Sequence, residues 1–170
     1  MNTKKVNVLS HVLFNEMCDN NHWTDKNVES LNDCAFISVV CTDDVVKYYK
    51  GEIDGEHWFK KNHPNVLNLE FDDVLSDLIV NDTEVKALTQ EQAQEIVDFI
   101  ERNKGKNFYI HCTAGISRSG AIGTFIAENY DEYKGSLEKY NSYLKPNGDV
   151  LCKLNNILWN KHFENFNLED

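Results

Sequence analysis

The sequence predicts an α/β domain with a central, mostly parallel sheet of about four to five strands flanked by helices. Three observations carry this. Short apolar runs recur along the chain, the most continuous being CAFISVV at residues 34–40, and such runs suit strands buried on both faces. Segments with apolar residues at helical spacing stand between them, one opened by a capping box. Strands alternating with helices favour parallel pairing, because each crossover helix returns the chain to the same end of the sheet.

Taken in order, residues 6–9 (VNVL) alternate enough for an edge strand, and the stretch MNTKKVNVLSHVLF as a whole reads as a first strand rather than a signal peptide. The run 34–40 ends before Asp43 and Asp44. Residues 66–71 (VLNLEF) put Leu67, Leu69 and Phe71 on one face at period two, and end at Asp72 and Asp73. Residues 108–110 (FYI) form another short strand. Thr89 followed by Gln92 is a capping box, and Ala93, Ile96, Val97 and Ile100 give the apolar stripe of the helix that follows, closed by Gly105. A second stripe, Ile122, Phe125 and Ile126, begins at Gly120. Residues 136–144 (SLEKYNSYL) predict a third helix, stopped before Pro146. Residues 149–163 predict a fourth, with Leu151, Leu154, Ile157 and Leu158 inward.

No repeat, low-complexity block or linker interrupts the 170 residues, so residues 1–164 read as one domain and 165–170 as an acidic tail. The formal net charge of −11 repels nucleic acid and anionic bilayers, so neither is an expected partner. Cys18, Cys34, Cys41, Cys112 and Cys152 are odd in number and scattered, unlike a disulfide framework. The absence of a C-x-x-C pair argues against structural zinc, and no metal or cofactor is expected. Unpaired thiols and the lack of a membrane-length apolar run point to an intracellular, cytoplasmic setting.

Residues 108–127 carry the chemistry. A strand (FYIH) enters a loop (CTAGISRSG) that opens a helix (AIGTFIA). Backbone N–H groups converging at a helix N-terminus form a nest for an oxyanion. Gly115 allows a bend there that a Cβ would hinder. In such a field the Cys112 thiol ionises more readily. Arg118, six residues on, can close its planar fork over the same point. Ser119 can hydrogen-bond the sulfur, and His111 can orient the loop.

The segment HCTAGISRSG resembles the signature loop of the protein tyrosine phosphatase superfamily, in its dual-specificity branch of small, atypical, single-domain enzymes. His111, Cys112, Gly115, Arg118 and Ser119 fall on that signature. More loosely, the likeness runs from Ala35 to Leu158, with LEFDDV similar to the segment carrying the family's general acid and KPNGDVLCKL similar to its Pro-Asn segment. The resemblance implies a cysteine-dependent phosphatase with a phosphocysteine intermediate. Cys112 would be the nucleophile, Arg118 the phosphate clamp and Ser119 the leaving-thiolate partner. Thr113, Ala114, Gly115, Ile116, Ser117 and His111 would form the phosphate cradle. Matching LEFDDV to the family pattern assigns the general acid to Asp73, with Asp72 and Asp77 as alternatives and Asp82 read as a surface loop residue. Asp73 lies 39 residues before Cys112, longer than is usual in that branch, which implies an insertion within residues 74–88.

None of the variable loop positions is basic, which weakens a phosphoinositide reading. The expected substrate is a phosphorylated protein or peptide, with phosphotyrosine and in addition phosphoserine or phosphothreonine. An RNA 5′-triphosphatase or nucleotide phosphatase on the same loop is one alternative, and a non-catalytic phosphoprotein-binding module another. A rhodanese-type domain lacks the upstream Asp. Outside the loop, the pairs His22–Trp23 and His57–Trp58 read as packing and surface polarity, and Lys60–Lys61 as a solvated face.

Overall fold

The computed structural model describes residues 4–53 and 55–166. In chain order these form β1 (Val6–Ser10), α1 (His11–Asn20), β2 (Cys34–Val40), α2 (Asp43–Tyr48), β3 (Val66–Glu70), β4 (Leu78–Val80), β5 (Thr83–Val85), α3 (Gln90–Arg102), β6 (Asn107–Cys112), α4 (Arg118–Asn129), β7 (Leu137–Lys139) and α5 (Gly148–Phe166). Short 3-10 turns fall at Val28–Ser30 and Asp131–Tyr133.

Five strands make one sheet in the order β3-β2-β6-β1-β7, and every neighbouring pair is parallel. This is the α/β architecture the sequence predicts. Alternation along β2 serves both faces: Ala35, Ile37 and Val39 join a large core with α3, α4 and α5, while Phe36 joins a smaller one with Phe14 and Cys18 of α1, Val28 and Phe59. Trp23 packs on Phe36 and Tyr109, and the Trp58 indole N–H donates to the Trp23 carbonyl, so both tryptophans are packing residues. Gly123 lets α4 lie close on the sheet, since a Cβ there would meet a Val8 methyl at 2.4 Å.

Four expectations need correction. The first strand is not an edge, because β7 covers it and pairs Val6 with Leu137. That cover comes from residues 136–144, expected as a helix: they form β7 and then a bend over residues 140–142 instead. Their helix-favouring composition yields to pairing with β1 and to support of the loop described below. The strand at the N-terminus stops at Ser10, whose hydroxyl accepts from the Leu13 N–H and starts α1. Lastly, α5 runs to Phe166, beyond residue 163; the rest of the acidic tail, 167–170, lies outside the described residues.

The inferred insertion is a two-stranded hairpin, β4–β5, set apart from the main sheet. Asn81 and Asp82 turn it with φ of 48° and 61°, the left-handed pair that a tight hairpin turn requires. None of the described helices is long and apolar enough to cross a membrane.

Candidate active site

The carboxyl ends of β1, β2, β3 and β6 converge, and ligands of open parallel sheets bind at such an edge. From β6 the chain passes through residues 113–117 into α4. The carbonyls of this loop turn outward into the frame. Thr113 O accepts from the His11 N–H at 3.2 Å, and Ala114 O and Gly115 O accept from Asn141 Nδ2 at 2.8 and 3.0 Å. Ile116 O accepts from the Lys145 N–H at 3.2 Å, and Ser117 O from the N–H groups of Ala121 and Asn147 at 2.8 and 3.1 Å. With all five carbonyls held outside, the N–H groups of Thr113, Ala114, Gly115 and Ser117 have no acceptor among the described residues. Those of Ile116 and Ser119 interact with the Cys112 sulfur. The α4 N-terminus carries no side-chain cap, so its positive end is open to an anion.

Gly115 is essential to this bend. Its φ is +71°, and a Cβ would sit 2.4–2.6 Å from the Leu9 and Ser10 backbone.

Cys112 and Arg118 are buried beneath the loop. Burial alone would push the Cys112 thiol up. The Arg118 guanidinium, the Ser119 hydroxyl at 3.1 Å and the Ser119 and Ile116 N–H groups outweigh it and hold the thiol below its ordinary range. Arg118 Nη1 donates to Phe71 O at 2.7 Å and Nη2 to Thr113 Oγ1 at 2.9 Å. These bonds aim the fork from the end of β3. Its Nε is buried with no partner. An unsatisfied buried donor costs about 1–3 kcal/mol, a cost an anion would remove.

The three upstream carboxylates separate clearly. Asp72 is buried and fully engaged, accepting from Thr42 N–H (3.0 Å), Thr42 Oγ1 (2.8 Å) and the Lys86 N–H (2.8 Å). It ties the start of α2 to the end of the hairpin. Asp77 accepts from the Ala87 N–H at 2.8 Å and belongs to the same frame. Asp82 is in the exposed hairpin turn. Asp73 alone reaches the loop: its Oδ1 accepts from Ser117 Oγ at 2.7 Å and from Asn147 Nδ2 at 2.8 Å. Its Oδ2 has no hydrogen-bond partner among the described residues. Asp73, Cys112, Thr113, Ala114, Ile116, Ser117 and Arg118 line one cleft of 620 Å³, with Lys145, Pro146 and Asn147 on the far wall.

Sequence reasoning missed several of these groups. Asn147 also caps α5 through Asp149 and Val150, and the PNGD stretch was its only trace. Asn141 sits in the segment expected as a helix, and Lys145 directly follows it. His57 belongs to a polar chain: its Nδ1 and His111 Nε2 both lie 2.7 Å from Ser38 Oγ. Its pairing with Trp58 in sequence concealed that. Lys60 pairs with Glu56 on the exposed surface.

A thiol of lowered pKa at the mouth of an uncapped helix, under an inward nest of N–H groups and beside a half-satisfied arginine, is an arrangement suited to holding an oxyanion next to a nucleophile. Residues 52–128, which span Asp73 and the whole loop, match a family model described as "Polymorphic toxin system, DSP-PTPase phosphatase", a likeness consistent with a dual-specificity-phosphatase-like domain. Comparison with curated proteins gives no match.

Proposed function

We propose that this protein hydrolyses phosphotyrosine, and with it phosphoserine and phosphothreonine, in protein substrates through a phosphocysteine intermediate. The observation that carries the reading is the partnerless, buried Arg118 Nε beside the acidified Cys112 thiol. A phosphoryl oxygen supplies the missing acceptor, and the sulfur lines the same cleft as the guanidinium.

In the first step the Cys112 thiolate attacks phosphorus. The S–P bond forms as the ester P–O bond breaks, and Asp73 donates a proton to the departing oxygen. Loop N–H groups and Arg118 hold the three equatorial oxygens while charge redistributes. In the second step the Asp73 carboxylate takes a proton from water. The water oxygen attacks phosphorus, the S–P bond breaks, and the Ser119 hydroxyl, 3.1 Å from the sulfur, stabilises the departing thiolate. Inorganic phosphate is released. The anchoring of Asp73 by Ser117 and Asn147 supports its assignment, because it ties the acid to the loop itself.

A protein substrate is favoured over RNA because the cleft holds a single lysine, Lys145, in a chain of net charge −11. The family description refers to polymorphic toxin systems. On that reading the domain is the phosphatase component of a toxin system.

The test is metal-free, reducing hydrolysis of para-nitrophenyl phosphate and of a phosphotyrosine peptide. The wild type turns over both, and Cys112→Ser loses about 10⁴-fold or more in kcat. Trapping of substrate without turnover by the wild type would instead make this a phosphate-binding module. Faster release of phosphate from 5′-triphosphate RNA than from peptide would make it a nucleic-acid enzyme.

A further inference from the structure

Beside the catalytic cleft lies a second pocket of 350 Å³, between α2 and the β4–β5 hairpin. Its walls are Val45, Tyr48, Tyr49, Ile53, Leu78 and Val80. It is continuous with the cleft, since Asp73, Val74, Thr113 and Arg118 line both. We propose that this pocket is a substrate subsite for an aliphatic or aromatic side chain that flanks the phosphorylated residue of a protein substrate. The inference rests on the phosphatase reading above.

Both walls are built to hold their places. Asp72 pins the start of α2 through Thr42 and the end of the hairpin through Lys86. Asn81 Nδ2 donates to the Tyr48 hydroxyl at 3.0 Å, joining the hairpin turn to α2. The polar floor is therefore committed: Asp72 spends both oxygens on the frame, and Arg118 faces the phosphate cradle. What remains for a ligand is apolar.

Tyr48, Tyr49, Leu78 and Val80 keep 40–46 % of their surface exposed, an unusual grouping of large apolar side chains at the lip of a site. Along β4, Leu78 and Val80 line the pocket while Ile79, on the opposite face, does not. The hairpin thus aims one face at the substrate.

The occupant follows from size and charge. Ligand pockets run from about 300 to 1,000 Å³, so this one suits a single side chain rather than the paired tails of a lipid. The net charge of −11 also opposes docking on an anionic bilayer. A peptide whose phosphate sits on the loop passes Asp73 at the boundary between the two spaces, so a neighbouring residue reaches the apolar one.

The test compares kcat/KM for two phosphotyrosine peptides that differ only in carrying Leu or Phe, against Ser, on either side of the phosphotyrosine. The wild type favours the apolar peptide by about tenfold or more. Val80→Lys and, independently, Tyr48→Ala bring the ratio near one, and Ile79→Ser keeps it; thermal unfolding confirms that each variant is folded. Equal rates on both peptides with brisk turnover of para-nitrophenyl phosphate would sink the subsite and leave the phosphatase standing. A ratio that survives both pocket variants would sink it too, as would a phosphoinositide in vesicles outrunning both peptides. No turnover of any phosphoester would sink the phosphatase reading and the subsite together.

Discussion

His111 and His63 are both buried, at opposite ends of the same sheet, and their surroundings shift their pKa values in opposite directions. His111, at the carboxyl end of β6, is enclosed and pairs with no carboxylate among the described residues. Burial first, then the neighbouring His11, His57 and Arg118, hold its pKa well below the ordinary value. It stays neutral and links Ser38 to the loop. His63, just before β3, also pays for burial, but Glu29 and Asp25 meet its two ring nitrogens at 2.7 and 2.8 Å and raise its pKa. The difference teaches how the molecule divides its labour. The amino end of the sheet neutralises its charges locally, as a clamp. The carboxyl end leaves donors unmatched, at Arg118 Nε and along the loop, where an anion belongs.

The sharpest way to probe that carboxyl end is to exchange its two adjacent acids. Asp73→Asn lowers kcat by about 10² to 10⁴-fold with little change in stability, because its carboxylate faces the cleft. Asp72→Asn does the reverse: it loses about 1–3 kcal/mol as acceptors of the frame disappear, and kcat falls far less. Steady-state kinetics and chemical denaturation of both variants check this. The same result with the roles exchanged would return the general acid to Asp72.

A smaller effect is expected from breaking the bend. Gly115→Ala forces a Cβ against the Leu9–Ser10 backbone at a positive φ, costing about 1–3 kcal/mol of stability and loosening the loop. Denaturation midpoints measure it, and an unchanged midpoint would mean the loop shifts freely away from β1.

The smallest effect is at the other end. His63→Gln removes about 1–2 kcal/mol at pH 6 and less at pH 8 or above. The sign follows from its raised pKa: the folded state binds the extra proton, so the stabilisation is complete below the unfolded value near 6.5 and fades as pH climbs through the folded one. His111 works in the other direction. Kept neutral when folded, it favours the fold above about pH 6.5, and that contribution declines as acid protonates the unfolded chain. Urea titrations of the wild type and His63→Gln across pH 5–9 resolve the two slopes.

The sequence by itself determined the strand–loop–helix at residues 108–127, the capping box of α3, the continuous apolar run of β2 and the period-two face of β3, because each depends on residues a few places apart. It also marked Cys112, Arg118 and Ser119 as partners, since a fixed spacing within one loop sets their geometry. Only the tertiary structure decided which carboxylate faces the loop. Asp72 and Asp73 differ by one position, and the donors that separate them come from Thr42, Lys86, Ser117 and Asn147, far along the chain. The same holds for residues 136–144, whose local preference is helical but whose place beside β1 and under the loop carbonyls requires a short strand and a bend. The insertion at 74–88 was legible as extra length; that it folds into a hairpin and walls an apolar pocket with α2 depends on the Asn81–Tyr48 and Asp72 bonds across the chain. Local spacing encodes local geometry, whereas the environment of a side chain is set by neighbours that only folding supplies.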